Sequence, residues 1–487
     1  MRFFNFYIRS HPYLIAIFLI AIIQTAIILI YPFNGYFGQD SYEYLKTTRE
    51  FNAYYKTGVL PSYSVFPGLY PFICSLFVLI IPNTLFVLQF VSILCLIASY
   101  LLLREIIIMI YKKDKYIDIY LFLFFSLSPY ILRFSIISMS DLTGIFLWLM
   151  ALYFSLLFQQ KAKVTSLICA CLFGGFAVMT RYTAIVILIM PAFICVMEIL
   201  KQKKYTLFPV AFLFFLLGSL PDYLLKGRFF FWDINESSSA FSYFYFLDQY
   251  SIFNFFKKDF NNLDGWQHYQ FPNIIYVFQI FIHPAFIFIG SIFLIFFRKK
   301  LFILKEVKIS LLTIVIYLIF LAGNAYQSDR YLMFALPLVL IFYYGIFLEI
   351  ISRIKLTFKK ILFITAVLCG LQLALFIYSF RATIAMNRNE KSIAETVSTL
   401  PVESTVYTFS IDGALKAYQP TVKIYDIYLN KLVDSAITNG YLLFNYEAFS
   451  KQFANLNPMQ NYQYLESHYT LQSEKKFENG WELLHIK

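Results

Sequence analysis

The chain reads as a polytopic α-helical membrane protein with about eleven spans and a small α/β domain at its C-terminal end. Three observations carry that reading. Of 487 residues, 60% are hydrophobic and only 14% charged, whereas soluble domains carry roughly a quarter charged residues. Apolar stretches of spanning length recur from residue 12 to residue 380. Beyond about 382 they stop, and helix-like and strand-like patterns alternate.

The apolar stretches fall at about 12–31, 84–110, 117–135, 140–158, 164–180, 182–200, 206–225, 273–297, 308–325, 330–350 and 358–380. Each suits an α-helix crossing a hydrocarbon layer of about 30 Å. Orientation follows from the basic residues of the short loops, which favour the cytoplasmic side. Those loops carry Lys112, Lys113 and Lys115; Lys161 and Lys163; Lys201, Lys203 and Lys204; Arg298, Lys299 and Lys300; and Arg353, Lys355, Lys359 and Lys360. Placing all of them with the N-terminus in the cytoplasm gives eleven crossings and an outer C-terminus. Residues 65–81 are apolar but marginal in length, and a full crossing there inverts every later basic loop. They therefore read as a re-entrant or interfacial segment. Arg2 and Arg9 precede the first stretch with no small-residue cleavage site behind it, which predicts an uncleaved first span.

The net charge of +12 sits in those loops, where it sets topology and meets anionic lipid; no nucleic-acid partner is implied. All six cysteines lie within apolar runs, and Cys169-x-Cys171 has no His or Cys partners at metal-site spacing. Three outer segments are long enough for chemistry: 32–64, then 226–272 with Trp232, Asp233, Glu236, Asp264, Trp266 and His268, then the tail. Strand candidates in the tail are 404–410, 421–427, 440–446, 469–477 and 481–487, the last two joined by the hairpin signal Asn479-Gly480. The division expected is a transmembrane domain over 1–381 and an extracytoplasmic α/β domain over 382–487.

Asp40 is the leading chemical candidate. It stands nine residues past the first apolar run, in Gly38-Gln39-Asp40-Ser41-Tyr42-Glu43-Tyr44-Leu45. A carboxylate just outside the membrane suits a general base facing a lipid-borne substrate. It equally suits the N-cap of a helix that begins at Ser41, with Glu43 at its third position. Asp141 opens a span on the outer side, where a carboxylate also favours the helix dipole. Arg133 and Arg181 stand at outer span ends, against the positive-inside bias, and so ask for anionic partners; Asp329-Arg330-Tyr331 poses the same question. Arg181 and Arg330 could hold a phosphate through charge-assisted bonds, or form salt bridges with nearby carboxylates. Lys226 and Arg228 are weaker phosphate candidates. Walker, dinucleotide and Gly-x-Ser-x-Gly motifs are missing, and no inner loop is long enough for a soluble nucleotide-sugar site. If sugar chemistry happens here, the donor must arrive in the lipid.

In order and spacing these features resemble the GT-C superfamily of membrane glycosyltransferases. Within it they are most similar to the protein O-mannosyltransferases of glycosyltransferase family 39 and the lipid A aminoarabinose transferases. The resemblance rests on Asp40-Ser41-Tyr42-Glu43-Tyr44, then Pro67-Gly68-Leu69-Tyr70-Pro71, then Ser140-Asp141, Thr180-Arg181-Tyr182-Thr183, and Arg330-Tyr331 with Pro337. Many relatives carry Asp-Glu in the first motif, where this chain has Asp40-Ser41. The resemblance implies a polyprenyl-phosphate sugar donor and an extracytoplasmic acceptor hydroxyl on a glycan, lipid or protein. It implies transfer with inversion in a bacterial inner (cytoplasmic) membrane. Asp40 is then the catalytic base, and Glu43 and Asp141 are second acidic or structural residues. Arg181, Arg330, Lys226 and Arg228 are the lipid-phosphate ligands. No cofactor is required and no metal ligand is assigned; a divalent metal could be accommodated but is not indicated. A lipid-linked glycan flippase, and an O-antigen-type polymerase or ligase, are the alternative readings.

Overall fold

The computed structural model describes residues 12–487 apart from 63, 65, 233–248, 263, 298–303, 356, 419–420, 433–436 and 438–439, and it does not describe the side chains of 223 and 226–232. Arg2, Arg9, the Arg298–Lys300 loop, Asp233, Glu236 and the side chains of Lys226, Arg228 and Trp232 thus lie outside the described residues. The chain divides into two compact units. The first comprises Met1–Gly35, Thr47–Phe256 and Phe271–Phe380; the second comprises Tyr36–Lys46, Lys257–Gln270 and Arg381–Lys487.

The first unit is helical. In chain order it holds α1 (Pro12–Ile30), most of α2 (Gly38–Thr57), α3 (Leu69–Val78), α4 (Thr84–Tyr111), α5 (Ile117–Leu121), α6 (Pro129–Ile136), α7 (Asp141–Lys161), α8 (Val164–Val178), α9 (Ala184–Ile187) and α10 (Ile189–Gln202). It continues with α11 (Leu207–Trp232), α12 (Asn273–Ile282), α13 (Gly290–Ile295), α14 (Lys305–Ala322), α15 (Asp329–Ile354) and the apolar part of α16 (Phe358–Val397). Among the described residues six helices are long and apolar enough to cross a membrane.

Two expected spans are broken. Residues 117–135 form α5, a π-turn over Phe122–Ser126 and α6, bent by 66°; Pro129 has no N–H to continue the ladder, so the helix restarts there. Residues 273–297 form α12 and α13, interrupted at His283-Pro284 for the same reason. Helix α3, in the marginal 65–81 segment, has 10 residues, a length of about 15 Å, half a hydrocarbon layer.

The core of this unit lies around α15, whose residues Leu332–Ile346 are all buried. Its apolar run is buried all round, as expected of a central helix rather than a lipid-facing one. Helix α7 packs against it closely, because any side chain at Gly144 would stand 2.8 Å from the Phe334 ring. That approach brings the two helix starts, Asp141 and Arg330, within bonding reach.

The second unit contains the polar part of α16, two sheets and three short helices. Strands β1 (Asp259–Asn262) and β2 (Gly265–His268) form a hairpin. β3 (Thr405–Thr408), β4 (Lys423–Asp426), β5 (Gly440–Phe444), β6 (Leu471–Lys476) and β7 (Glu482–Ile486) form a mixed sheet of order β4-β3-β5-β7-β6. β3 pairs parallel with β4 and β5, and β7 pairs antiparallel with β5 and β6. All five lie inside the ranges marked by alternation in the tail, and Asn479 (φ 67°) and Gly480 (φ 81°) turn β6 into β7. Helices α17 (Asp412–Tyr418), α18 (Tyr446–Gln452) and α19 (Asn457–His468) complete the unit, with Phe409, Leu442, Phe444, Phe449, Phe453 and Leu484 in its core. The compact unit is wider than 382–487: residues 36–46 and 257–270 also belong to it, joined by side-chain bonds that run across the sequence.

Candidate functional site

In the first unit Asp141 is fully buried at the start of α7. Its Oδ1 lies 3.3 Å from Arg181 Nη1, and its Oδ2 accepts from Arg330 Nε and lies 3.1 Å from Arg330 Nη2. The two arginines expected at outer helix ends thus share one carboxylate. Asp141 is a counter-ion here rather than a cap, since Ser140 holds the N-cap position.

The backbone around each partner is pinned. Ser138 N–H donates to the Gly35 carbonyl at 2.7 Å, and Gln89 Nε2 donates to the Ile136 carbonyl at 2.7 Å. Tyr276 bonds both N–H and C=O of Ser328, and the Tyr317 hydroxyl donates to the Tyr331 carbonyl at 2.8 Å, so the turn bearing Arg330 is held on both sides. The Arg181 guanidinium also lies 5.5 Å from the centre of the Tyr331 ring, within cation–π range.

Arg133 extends this cluster, within electrostatic reach of Arg330 and Asp329. The Tyr130 hydroxyl bonds Asp329. Among the described residues, three guanidinium groups (Arg133, Arg181, Arg330) and two carboxylates (Asp141, Asp329) meet here. Cations held in fixed positions by such carboxylates suit an anion.

Tyr182, the residue after Arg181, lines an apolar groove of about 470 Å³ together with Val178, Met179, Leu213, Leu216 and Leu217. At the groove's polar end the buried Asp222 accepts the Tyr182 hydroxyl at 3.0 Å and the Gly68 N–H at 2.7 Å. Asp222 thereby anchors the Pro67-Gly68-Leu69-Tyr70-Pro71 motif. An acid inside an apolar run is a signal in its own right, but the sequence reading passed over it.

In the second unit Asp40 is half-buried in the first turn of α2. It is not the N-cap, because the helix begins two residues earlier, where Gly38 adopts φ +68°. Ser41 closes that turn: its hydroxyl accepts the Phe37 N–H at 2.9 Å. Glu43 lies 3.7 Å from Lys46 one turn on, an exposed pair. Gln39, beside Asp40, donates to Asp412 Oδ1 at 2.5 Å and accepts the Gly413 N–H at 3.2 Å.

The acidic neighbour of Asp40 is Asp264, in the β1–β2 turn. Although Asp264 keeps much of its surface open, desolvation and the Asp40 charge hold its carboxyl above the usual range. That turn is fixed by Gln452 Nε2, which donates to the Asp264 carbonyl at 2.5 Å. A close approach at Gly265 goes with it: a Cβ there would come within 2.2 Å of the Gln452 carbonyl oxygen.

Glu390 is the residue with no signal in the sequence. It sits in Arg388-Asn389-Glu390-Lys391, which reads as a solvated helix face, yet it is buried. It accepts the Tyr42 hydroxyl at 2.5 Å and the Gly38 N–H. Among the described residues no group of three or more His, Cys, Asp or Glu is placed to hold a metal ion.

Against known proteins, the family model described as dolichyl-phosphate-mannose-protein mannosyltransferase matches residues 66–221. That stretch opens at the Phe66-Pro67-Gly68 motif and closes one residue before Asp222. Comparison with curated proteins by sequence gives no match. By structure the chain is similar to crystal structures of ArnT from Cupriavidus metallidurans, one bound to undecaprenyl phosphate and one in the apo state. Each has a TM-score of 0.58 and 12% identity, covering 96% of this chain and 97% of that one. The chain has the GT-C fold. The Archaeoglobus fulgidus oligosaccharyltransferase in its apo form is also similar, with a TM-score of 0.47 and 14% identity over 85% of this chain and 64% of that one. With its apolar helices and a GT-C fold shared over nearly its whole length, the chain is a multi-pass membrane protein.

Proposed function

We propose that the chain transfers a sugar from a polyprenyl-phosphate donor to a hydroxyl of an extracytoplasmic acceptor, with inversion at the anomeric carbon. The observation that carries this is the Asp141 cluster: two guanidinium groups oriented by one buried carboxylate. The GT-C fold and the undecaprenyl phosphate bound to a protein of that fold support the same donor class.

In the reaction the acceptor oxygen bonds to the anomeric carbon, and the bond from that carbon to the phosphate oxygen breaks. The electron pair leaves with the lipid phosphate, whose charge Arg181 and Arg330 stabilise. Asp40 takes the acceptor proton. The apolar groove beside Tyr182 suits an isoprenoid chain. The reaction as written needs no cofactor. The basic loops favour a cytoplasmic N-terminus, eleven crossings, and the 382–487 tail outside a bacterial cytoplasmic membrane.

The test uses membranes containing wild type or Asp40→Asn, supplied with a panel of radiolabelled polyprenyl-phosphate sugars. Loss of a general base predicts transfer lowered roughly 10²–10⁴-fold with donor binding retained. Equal transfer by both proteins removes Asp40 from catalysis. Failure of the wild type with every donor overturns the donor class.

A further inference from the structure

The polar half of α16 carries a buried stripe in a largely exposed helix: Thr383, Asn387, Glu390, Ala394 and Val397. Their 4-3-4-3 spacing places them on one face. Two of them hold the short segment that contains Asp40. Asn387 Nδ2 donates to the Tyr36 carbonyl at 2.8 Å. One turn on, Glu390 accepts the Gly38 N–H and the Tyr42 hydroxyl. The bonded positions flank Asp40 on both sides, 36 and 38 before it and 42 after it. Tyr42 is further fixed by stacking on Tyr36, with ring centres 5.5 Å apart, and by an edge contact with Tyr418 of α17.

A glutamate is a costly choice for this place. It bonds a phenol and a backbone amide, and burial of a carboxyl on such partners is unfavourable compared with an amide or an apolar side chain. What the carboxyl provides is two acceptor oxygens that take one donor from each end of the first turn of α2.

We propose that Glu390 is a positioning residue for Asp40, holding Gly38 and Tyr42 so that the first turn of α2 presents the Asp40 carboxylate in one fixed orientation. This rests on the reading of Asp40 as the base. Burial pushes the Glu390 carboxyl up to about 7. Burial and the Glu390 charge together keep the Tyr42 phenol protonated, far above its usual range, so it donates. The groups facing this pair are Gly38 N–H from α2, Tyr418 from α17 through Tyr42, and Lys391 on the same helix.

The experiment takes the full chain in membranes as wild type, Asp40→Asn, Glu390→Ala, Glu390→Gln, Tyr42→Phe and the Asp40→Asn/Glu390→Ala double variant. It reads amide hydrogen exchange over residues 38–46, together with kcat and donor KM for sugar transfer. Glu390→Ala is expected to speed exchange in 38–46 and to lower kcat roughly 10- to 100-fold, with donor KM within about twofold, as for a misplaced catalytic group. Glu390→Gln, which keeps an acceptor oxygen, should recover part of both effects. The double variant should transfer no more slowly than Asp40→Asn alone, because a group that acts through Asp40 has nothing left to position.

Unchanged exchange in 38–46 overturns the proposal. So does faster exchange with unchanged kcat while Asp40→Asn abolishes transfer; that result leaves the base reading standing. Full activity of Asp40→Asn overturns both. If the alanine variant does not fold, Glu390→Gln and Tyr42→Phe carry the same comparison.

Discussion

Asp141 and Asp40 both stand in the first turn of a helix, and they differ in burial and in the charged neighbours beside them. Asp141 is fully buried and shared by two arginines. Asp40 is half-buried, and Asp264 beside it is another acid. The first arrangement spends a carboxylate on orienting cations, which is what an anion site needs. The second keeps a carboxylate partly solvated, with a second acid near it. A helix-start acid is therefore not one functional class: its partners decide whether it is scaffold or reagent.

Stability measurements can break that contrast. Asp141→Asn strips two guanidinium groups of their buried counter-ion, and removing one partner of a buried ion pair typically costs about 3–5 kcal/mol. Thermal unfolding of the detergent-solubilised protein should show it as the largest loss of the set. A loss no greater than that of a surface substitution would mean the arginines are held by other groups.

Arg330→Lys keeps the charge but loses the fork in which Nε and Nη2 both approach Asp141 Oδ2. A cost of about 1.5–3 kcal/mol fits bonds to a charged group, and donor KM should rise in the same variant. Unchanged KM would separate Arg330 from donor binding.

A pH effect should distinguish the second region. The Glu390 carboxyl is raised from 4.5 to about 7, chiefly by burial. A carboxyl raised on folding takes up a proton, so its contribution to stability is complete below about 4.5 and is lost as pH rises through about 7. Opening of residues 38–46, read by hydrogen exchange corrected for the intrinsic rate, should become easier from about pH 5.5 to about pH 8. Glu390→Gln should flatten that dependence; a slope that survives in the variant would assign it to another group.

The smallest loss of stability should come from Asp40→Asn. Losing a half-exposed acid from a first helical turn costs about 0.3–1 kcal/mol through the helix dipole. A much larger loss of stability would make Asp40 a structural residue and erase the contrast with Asp141.

The fold was largely readable in the chain because its signals are local. Apolar runs marked the long helices of the first unit, alternation marked all five strands of the mixed sheet, and Asn479-Gly480 marked their hairpin. The two broken spans escaped because hydropathy does not register a missing backbone donor, though Pro129 and Pro284 stood in view. Arg133, Arg181 and Arg330 drew attention because the expected topology puts them on the outer side, against the positive-inside bias.

The carboxylate shared by Arg181 and Arg330 was beyond the sequence. Asp141 lies 40 residues from Arg181 and 189 from Arg330, and only the packing of α7 on α15, at the Gly144–Phe334 contact, brings those charges together. The same holds for Glu390, which lies 348 residues from Tyr42. The sequence by itself determined that this is a membrane-spanning helical protein with a mixed α/β tail, because burial preference and backbone chemistry are written residue by residue. Which carboxylate orients cations, which has a second acid near it and which grips the turn beside Asp40 was decided by tertiary structure alone, because electrostatic pairing depends on distance in space.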